Sequence, residues 1–562
     1  MKTDGRRQTA EARRFGAPEG RQKVDGRRQT ADINRPEFRM LGAPEGRQKV
    51  ASGKRSAATG SPFRKDSRPA GARGPASTHS LQRKGAFSGL IQGLRFACPW
   101  LPSSAPAGRR LDPSSIRLAL TVLLTIGLLS ISVAAQQPGN PTTQSGVTPP
   151  RGVFVIANAR IVTVSGPEIE NGSIVIRDGK IAAVGSSVSV PVPSGAVTIN
   201  ARGLSVYPGM IDAGTAMGLV EVGQGAAGTV DTAEVGDLNP NAKAIVAVNP
   251  HSAHIGVTRV DGVTSAVTLP SGGLISGQGA LINLLGTSPA EMAVVPYAAL
   301  VINYPRTSAG GGPFGGAQTE TNLTEAIAAA NRQLEQIRKM LRDAEAYGRA
   351  QDAYAKDKAL PRPALNVVLE ALVPYVRGER PVIFRAERET DMRGAIRFAE
   401  EMKLKPIILG GDDSWKIISL LKEKNVPVIL TGIWDLPIRE DDFYDTLYEN
   451  AAKLQQAGVR FAISSGDSGP NVRNLPFYAG MAAAFGLPKA EALKAVTLYP
   501  AQIMNVADRM GSIEIGKMAN LVITDGDLLE TRTHIRHLFI DGRPVPLTSR
   551  HTELNDAFKN RR

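Results

Sequence analysis

From Val153 onward the chain alternates between two hydrophobic periods. Short runs with a period near two, Val153–Ala157, Arg160–Val164, Ser173–Arg177, Lys180–Val184 and Val197–Asn200, are punctuated by Asn171-Gly172 and Asp178-Gly179. Such runs read as strands. An Asp-Gly pair between two of them reads as a tight hairpin, because both turn residues must take φ > 0. The pattern returns at Ile513–Ile515, Ala519–Thr524 and His537–Ile540, followed by Asp541-Gly542. The two sets, within 151–205 and 511–547, predict a composite β-sandwich assembled from both ends of the folded region.

Between them, apolar runs (Val382–Phe384, Pro406–Leu409, Val426–Leu430, Phe461–Ser464) alternate with helical patterns (Asp391–Met402, Ser414–Lys424, Phe443–Ala457, Lys489–Thr497). That alternation implies parallel strands joined by crossover helices, so the fold class is α/β, a TIM-like (β/α)8 barrel over 206–510. Its reactive groups belong at the strand C-terminal ends. One insertion, about 307–360, departs from this economy: a Gly-rich loop, Ser308–Gly316, leads into a helix from about Glu320 to Lys358. Leu323, Ile327, Leu334, Ile337 and Leu341 recur at helical spacing and predict one buried stripe. The helix is either a lid or subunit contact over the barrel mouth, which would suit a homo-oligomer, or an element packed on the barrel wall. Leu269–Ala280, with its Gly-x-Gly, lacks a phosphate-binding fingerprint and reads as a flexible loop at the mouth. Residues 548–562 read as a tail.

Upstream, Arg109, Arg110 and Arg117 precede an apolar run, Leu118–Val133, and then Ala134-Ala135-Gln136. Residues 118–135 have the zones of a secretory signal, with Val133 and Ala135 suited to cleavage; the alternative is a retained N-terminal anchor. Residues 136–150, rich in Gln, Pro, Gly and Thr, form a linker. The expectation is an exported protein, periplasmic or extracellular, touching a membrane only if the apolar segment is kept. Cleavage removes Cys98, the only cysteine, which excludes disulfides, thiolate ligands and a cysteine nucleophile.

Charge sharpens this division. Residues 1–117 carry 25 Lys and Arg against 9 Asp and Glu, so the formal net charge of +15 sits in the tail and the remainder is close to neutral. The tail repeats Asp-Gly-Arg-Arg-Gln-Thr-Ala at Asp4 and Asp25, and Gly-Ala-Pro-Glu-Gly-Arg-Gln-Lys-Val at Gly16 and Gly42. Without periodic apolar residues it reads as disordered, and an over-extended reading frame explains it as well as polyanion binding does. Nothing in the folded body calls for nucleic acid.

The run Tyr207-Pro208-Gly209-Met210-Ile211-Asp212-Ala213-Gly214-Thr215-Ala216 and the run Leu498–Asp527, with Gly516-Lys517-Met518-Ala519-Asn520-Leu521, together with the flanking β segments, resemble amidohydrolases close to imidazolonepropionase across residues 152–545. The resemblance implies hydrolysis of a non-peptide carbon–nitrogen bond, of cyclic amide or amide type, in a small polar substrate by metal-activated water. It also implies a divalent metal, zinc, held by two histidines on the first barrel strand, one each on strands 5 and 6, and an aspartate on strand 8. Here Gly214 and Ala216 stand at the first two positions, Arg385 at the strand-5 position and Gly411 at the strand-6 position; Asp467 alone is retained. The ligand set is not retained, and no metal ligand is assigned. His251 and His254, the only histidines in the barrel region, could share one helix face, or be solvated.

Arg385 stays protonated at any accessible pH and repels a divalent ion. An Arg385–Asp467 ion pair is the expectation, with Asp467 a candidate general base and Arg385 its electrostatic partner. Glu387, Asn471 and Arg473 are candidate substrate contacts. Two functions remain open: a hydrolase of this class without the usual binuclear metal, or a catalytically silent barrel that binds a small polar ligand or a protein partner.

Overall fold

The computed structural model describes residues 148–562 apart from 224–226, 307–322, 440, 560 and 562. The basic tail, the 118–135 segment, most of the linker and the Gly-rich loop lie outside the described residues. Among the described residues no helix is long and apolar enough to cross a membrane.

Strands β1 (Phe154–Ile161), β2 (Ile169–Arg177), β3 (Lys180–Ser186), β4 (Val197–Asn200) and β5 (Ser205–Pro208) open the fold. The barrel strands are β6 (Met210–Thr215), β7 (Val263–Thr268), β8 (Ile275–Asn283), β9 (Ala293–Asn303), β10 (Val382–Ala386), β11 (Pro406–Gly410), β12 (Val428–Leu430) and β13 (Phe461–Ile463). Strands β14 (Leu521–Thr524), β15 (Ile535–Ile540) and β16 (Arg543–Pro544) follow.

The two chain ends do combine, but as one hydrogen-bonded sheet of order β16-β15-β14-β5-β1-β2-β3, with β4 beside β1. β5 pairs with β14 on one side and β1 on the other, and this stitches the halves together where the sequence suggested a sandwich. Phe154–Ala157 pair with β4 and Arg160–Ile161 with β5 along the same edge of β1; Asn158 between them takes φ 63°. Asp178-Gly179 (φ 54° and 79°) and Asp541-Gly542 (φ 53° and 68°) both form tight turns, between β2 and β3 and between β15 and β16. The two turns meet: a Cβ on Gly542 would lie 2.6 Å from the Gly179 Cα. Asn171-Gly172, expected to punctuate, lies inside β2 instead, under the Ile161 side chain.

In the barrel sheet each strand pairs with the next in chain order. All pairs are parallel except those of β8, which runs against both β7 and β9. The barrel is therefore TIM-like with one reversed strand. The link from β7 is only residues 269–274, too short for a helical crossover. Half of the expected mouth loop at 269–280 is thus β8, buried along its whole length. Ile211, Val267, Leu281, Val301, Ile383 and Leu409 fill the interior. Helices Glu389–Glu401, Ile418–Glu423 and Thr446–Ala457 supply the later crossovers. Phe443, expected to begin the last of these, is exposed ahead of it.

The inserted helix, Leu323–Lys356, packs on the barrel wall. Ile337, Leu341 and Ala344 are fully buried, and Arg338 grips Glu401 at 2.7 and 2.8 Å while lying over the Phe398 ring. The predicted stripe is buried only in part, since Leu323 (61%) and Ile327 (41%) are exposed. The tail contains a helix, Arg550–Phe558, started by a Ser549–Thr552 capping box.

The barrel closes between its first and last strands. Thr215 bridges to Gly466, and the fully buried Asp212 carboxyl lies against Ser464 Oγ (2.6 Å) and accepts from Ser465 N–H (3.1 Å), Ser465 Oγ–H (2.5 Å) and Gly214 N–H (3.1 Å). Ser464 Oγ is also 2.7 Å from the Gly214 carbonyl, and one hydroxyl proton cannot serve both acceptors. A neutral Asp212 resolves the count: it donates to Ser464 Oγ, which donates to Gly214 O. Burial pushes this carboxyl above its ordinary value, in the same direction.

Two outcomes follow for stability. Asp212→Asn is expected to stay within about 1 kcal/mol of wild type at acid pH, while Asp212→Ala, which strands the Ser465 donors, costs about 3 kcal/mol in urea titrations. The neutral acid's contribution is whole below the ordinary value of 3.8 and is lost as pH rises through the raised folded value, so Asp212→Asn should gain on wild type with increasing pH. Separately, Gly542→Ala is expected to cost about 3 kcal/mol through strain and collision with Gly179. Gly195→Ala, at φ 76° with nothing within 4 Å, should cost only about 1 kcal/mol of strain in the same titration.

Candidate active site at the barrel mouth

Strand β10 carries Arg385 as its fourth residue, and the Asp212 clamp fixes the chain that leaves β13 three residues before Asp467. These two elements bring the expected pair together. Arg385 Nη1 donates to both carboxylate oxygens of Asp467 at 2.7 Å, and Nη2 donates to the Pro270 carbonyl at 3.3 Å. The Arg385 side chain is 18% exposed and Asp467 57%, so the pair is half screened by solvent and worth little as stability. Arg385 Nε is buried and has no acceptor among the described residues.

The other expected ligand positions carry no donor, and their space is taken. A Cβ on Gly214 would lie 2.8 Å from Leu409 Cδ1 and 3.3 Å from Leu269 Cδ1. Gly411 takes φ 68°, and a Cβ there would lie 2.5 Å from Val428 Cγ1. Ala216 is buried. Among the described residues no three His, Cys, Asp or Glu side chains converge to hold an ion. The residues present do not fit a divalent metal: one carboxylate remains, a guanidinium already sits on both its oxygens, and leucines fill the adjoining space.

The remaining candidates divide. Glu387 does not reach Arg385; it accepts from Arg306 at 3.1 and 3.2 Å. Asp413 is held by Lys416 (2.8 Å) and Arg439 (3.4 Å). Asp412 has no such partner among the described residues, and burial, with the charges of Glu387, Asp435 and Asp413 adding to it, pushes it up to about 7. Asn471 is exposed, its backbone N–H bonded to Ser468 O. Arg473 lies in the helical turn Gly469–Asn474, where its charge acts on Asp261, just ahead of β7. The short helix Ala253–Arg259 places His254 with Nε2 donating to the Glu221 carbonyl at 2.9 Å, which leaves Nδ1 with its lone pair; among the described residues no third ligand joins it and His251.

Two features escaped the sequence reading. Trp434, just past β12 and 39% exposed, stacks on Tyr478 with ring centroids 4.4 Å apart, giving the mouth an aromatic wall. Ser464-Ser465 anchor the turn before Asp467; two adjacent hydroxyls beside the retained aspartate were the available signal. A cavity of about 470 Å³, bounded by Asp231, Glu234, Asn239 and Lys243, lies in the loop after β6, and neither Arg385 nor Asp467 lines it.

Comparison with known proteins places this arrangement. Residues 407–547 match the amidohydrolase family. An imidazolonepropionase from Geobacillus sp. (strain WCH70) is 39% identical over 87 residues, which are 15% of this chain and only 20% of that enzyme's length. The crystal structure of an amidohydrolase from Thermotoga maritima MSB8 superposes with a TM-score of 0.61 at 24% identity, covering 70% of this chain and 99% of that one. The sequence match lies in the strands and helices from β11 onward, and the fold match spans the whole of that amidohydrolase: residues 407–547 carry the amidohydrolase family's pattern, on an amidohydrolase-like fold.

Proposed function

We propose that this chain is an exported amidohydrolase-family protein whose barrel mouth hydrolyses a non-peptide carbon–nitrogen bond, of cyclic amide or amide type, in a small polar molecule, without the usual binuclear metal. The observation that carries the reading is the Arg385–Asp467 pair at the ends of β10 and β13, where strand termini of such barrels carry their chemistry. Arg385 N–H groups polarise the substrate carbonyl. Asp467 takes a proton from water as its oxygen attacks the carbonyl carbon; the C–N bond breaks and the proton passes to the leaving nitrogen. Trp434 offers a flat apolar wall for a ring.

Binding without turnover is the second reading, and one observation favours it. Arg385 engages both oxygens of Asp467, so the base must be released before it can accept a proton.

The test is turnover of cyclic amides and N-acyl amino acids by protein stripped with chelator, followed as release of carboxylic acid. Hydrolysis that chelator leaves intact and Asp467→Asn abolishes supports the proposal. A thermal shift with the same compounds and no product supports the binding reading, and activity only after metal is added contradicts the metal-free mechanism. Export is checked by the mass of the mature chain from the cell envelope or medium, which is expected to begin at Gln136.

A further inference from the structure

We infer that the barrel mouth supplies its own cations covalently: the Arg385 guanidinium holds the position of a metal ion on Asp467, and the mouth takes up no divalent metal. The inference deepens the reading of the mouth as the working site and rests on it.

Position is the first argument. Nη1 lies 2.7 Å from each Asp467 oxygen, equidistant from the two. An ion held by both oxygens would stand about 2.0–2.2 Å from them and compete with the guanidinium for the same lone pairs. The guanidinium cannot leave by deprotonation. It is anchored at its far side by the Pro270 carbonyl.

Space is the second. The first-strand position at Gly214 opens onto Leu409 and Leu269, both buried, and the turn at Gly411 closes against Val428. A histidine at either place would need the neighbouring side chain to move.

Charge is the third, and it extends past Arg385. Three carboxylates at the ends of β10, β11 and β13 each have their own fixed cation: Glu387 has Arg306, Asp413 has Lys416 and Arg439, and Asp467 has Arg385. A metal ion arriving there would have to displace an arginine or lysine that chain connectivity returns at high effective concentration. His251 and His254 lie ahead of β7 and, among the described residues, join no group of three side chains able to hold an ion.

The experiment dialyses the purified full chain against zinc, cobalt or manganese at neutral pH and reads bound metal by elemental analysis, beside urea midpoints with and without chelator. Wild type is expected to hold no stoichiometric metal and to show one midpoint in both conditions. One or more metal equivalents in wild type that Asp467→Asn loses would overturn the inference, as would a wild-type midpoint that chelator lowers together with that metal. Metal kept in Asp467→Asn but lost in the His251→Ala, His254→Ala double variant lies outside the mouth and agrees with it. None of these readouts uses a substrate, so failure of the hydrolysis reading leaves them intact.

Discussion

The buried Asp212 carboxyl is the constraint on which the mouth depends. A barrel whose strands follow one another in sequence has a seam between its first and last strands. Here the seam is short: β13 has three residues, and the parallel contact to β6 is a single bridge at Thr215 and Gly466. Asp212 makes up the deficit through Ser464 and Ser465. Because those serines are the last residues before the turn at Gly466, the clamp also fixes where Asp467 emerges. A buried polar network of this kind is useful only when every member is satisfied, and a neutral Asp212 satisfies all of them. The same residue thus closes the fold and aims the retained carboxylate.

What the mouth does with that carboxylate differs from what its resemblance implies. A metal centre concentrates positive charge that can polarise water and be exchanged. Here the charge is spread over arginine and lysine side chains, each committed to a partner before any ligand arrives. Such a mouth has most of its carboxylates paired in advance. Asp412 is the exception: half-buried, without a cation among the described residues, and repelled by Glu387, Asp435 and Asp413, it is a group at the mouth whose charge the surroundings oppose.

The signals that were legible in the sequence were those set by short-range sterics or by few alternatives. Asp178-Gly179 and Asp541-Gly542 require φ > 0 wherever they occur, and both form the expected turns, although nothing in the sequence foretold that they would touch. Arg385 and Asp467 were legible as partners because both stand at positions where the resemblance implies metal ligands, one with a positive and the other with a negative charge. The reversal of β8 was not legible: Gly277 and Gly279 break the apolar pattern of a strand that is nonetheless fully buried. The partial exposure of the inserted helix was hidden too, since Leu323 and Ile327 keep the same spacing as the buried Ile337 and Leu341.

The central claim, that a guanidinium stands where a metal ion would, is tested most directly by a crystal structure of the protein grown with excess zinc, with anomalous scattering recorded at the zinc edge. The account predicts density for Arg385 on both oxygens of Asp467 and no anomalous peak at the mouth. A peak at about 2 Å from Asp467, with Arg385 turned away, would contradict it.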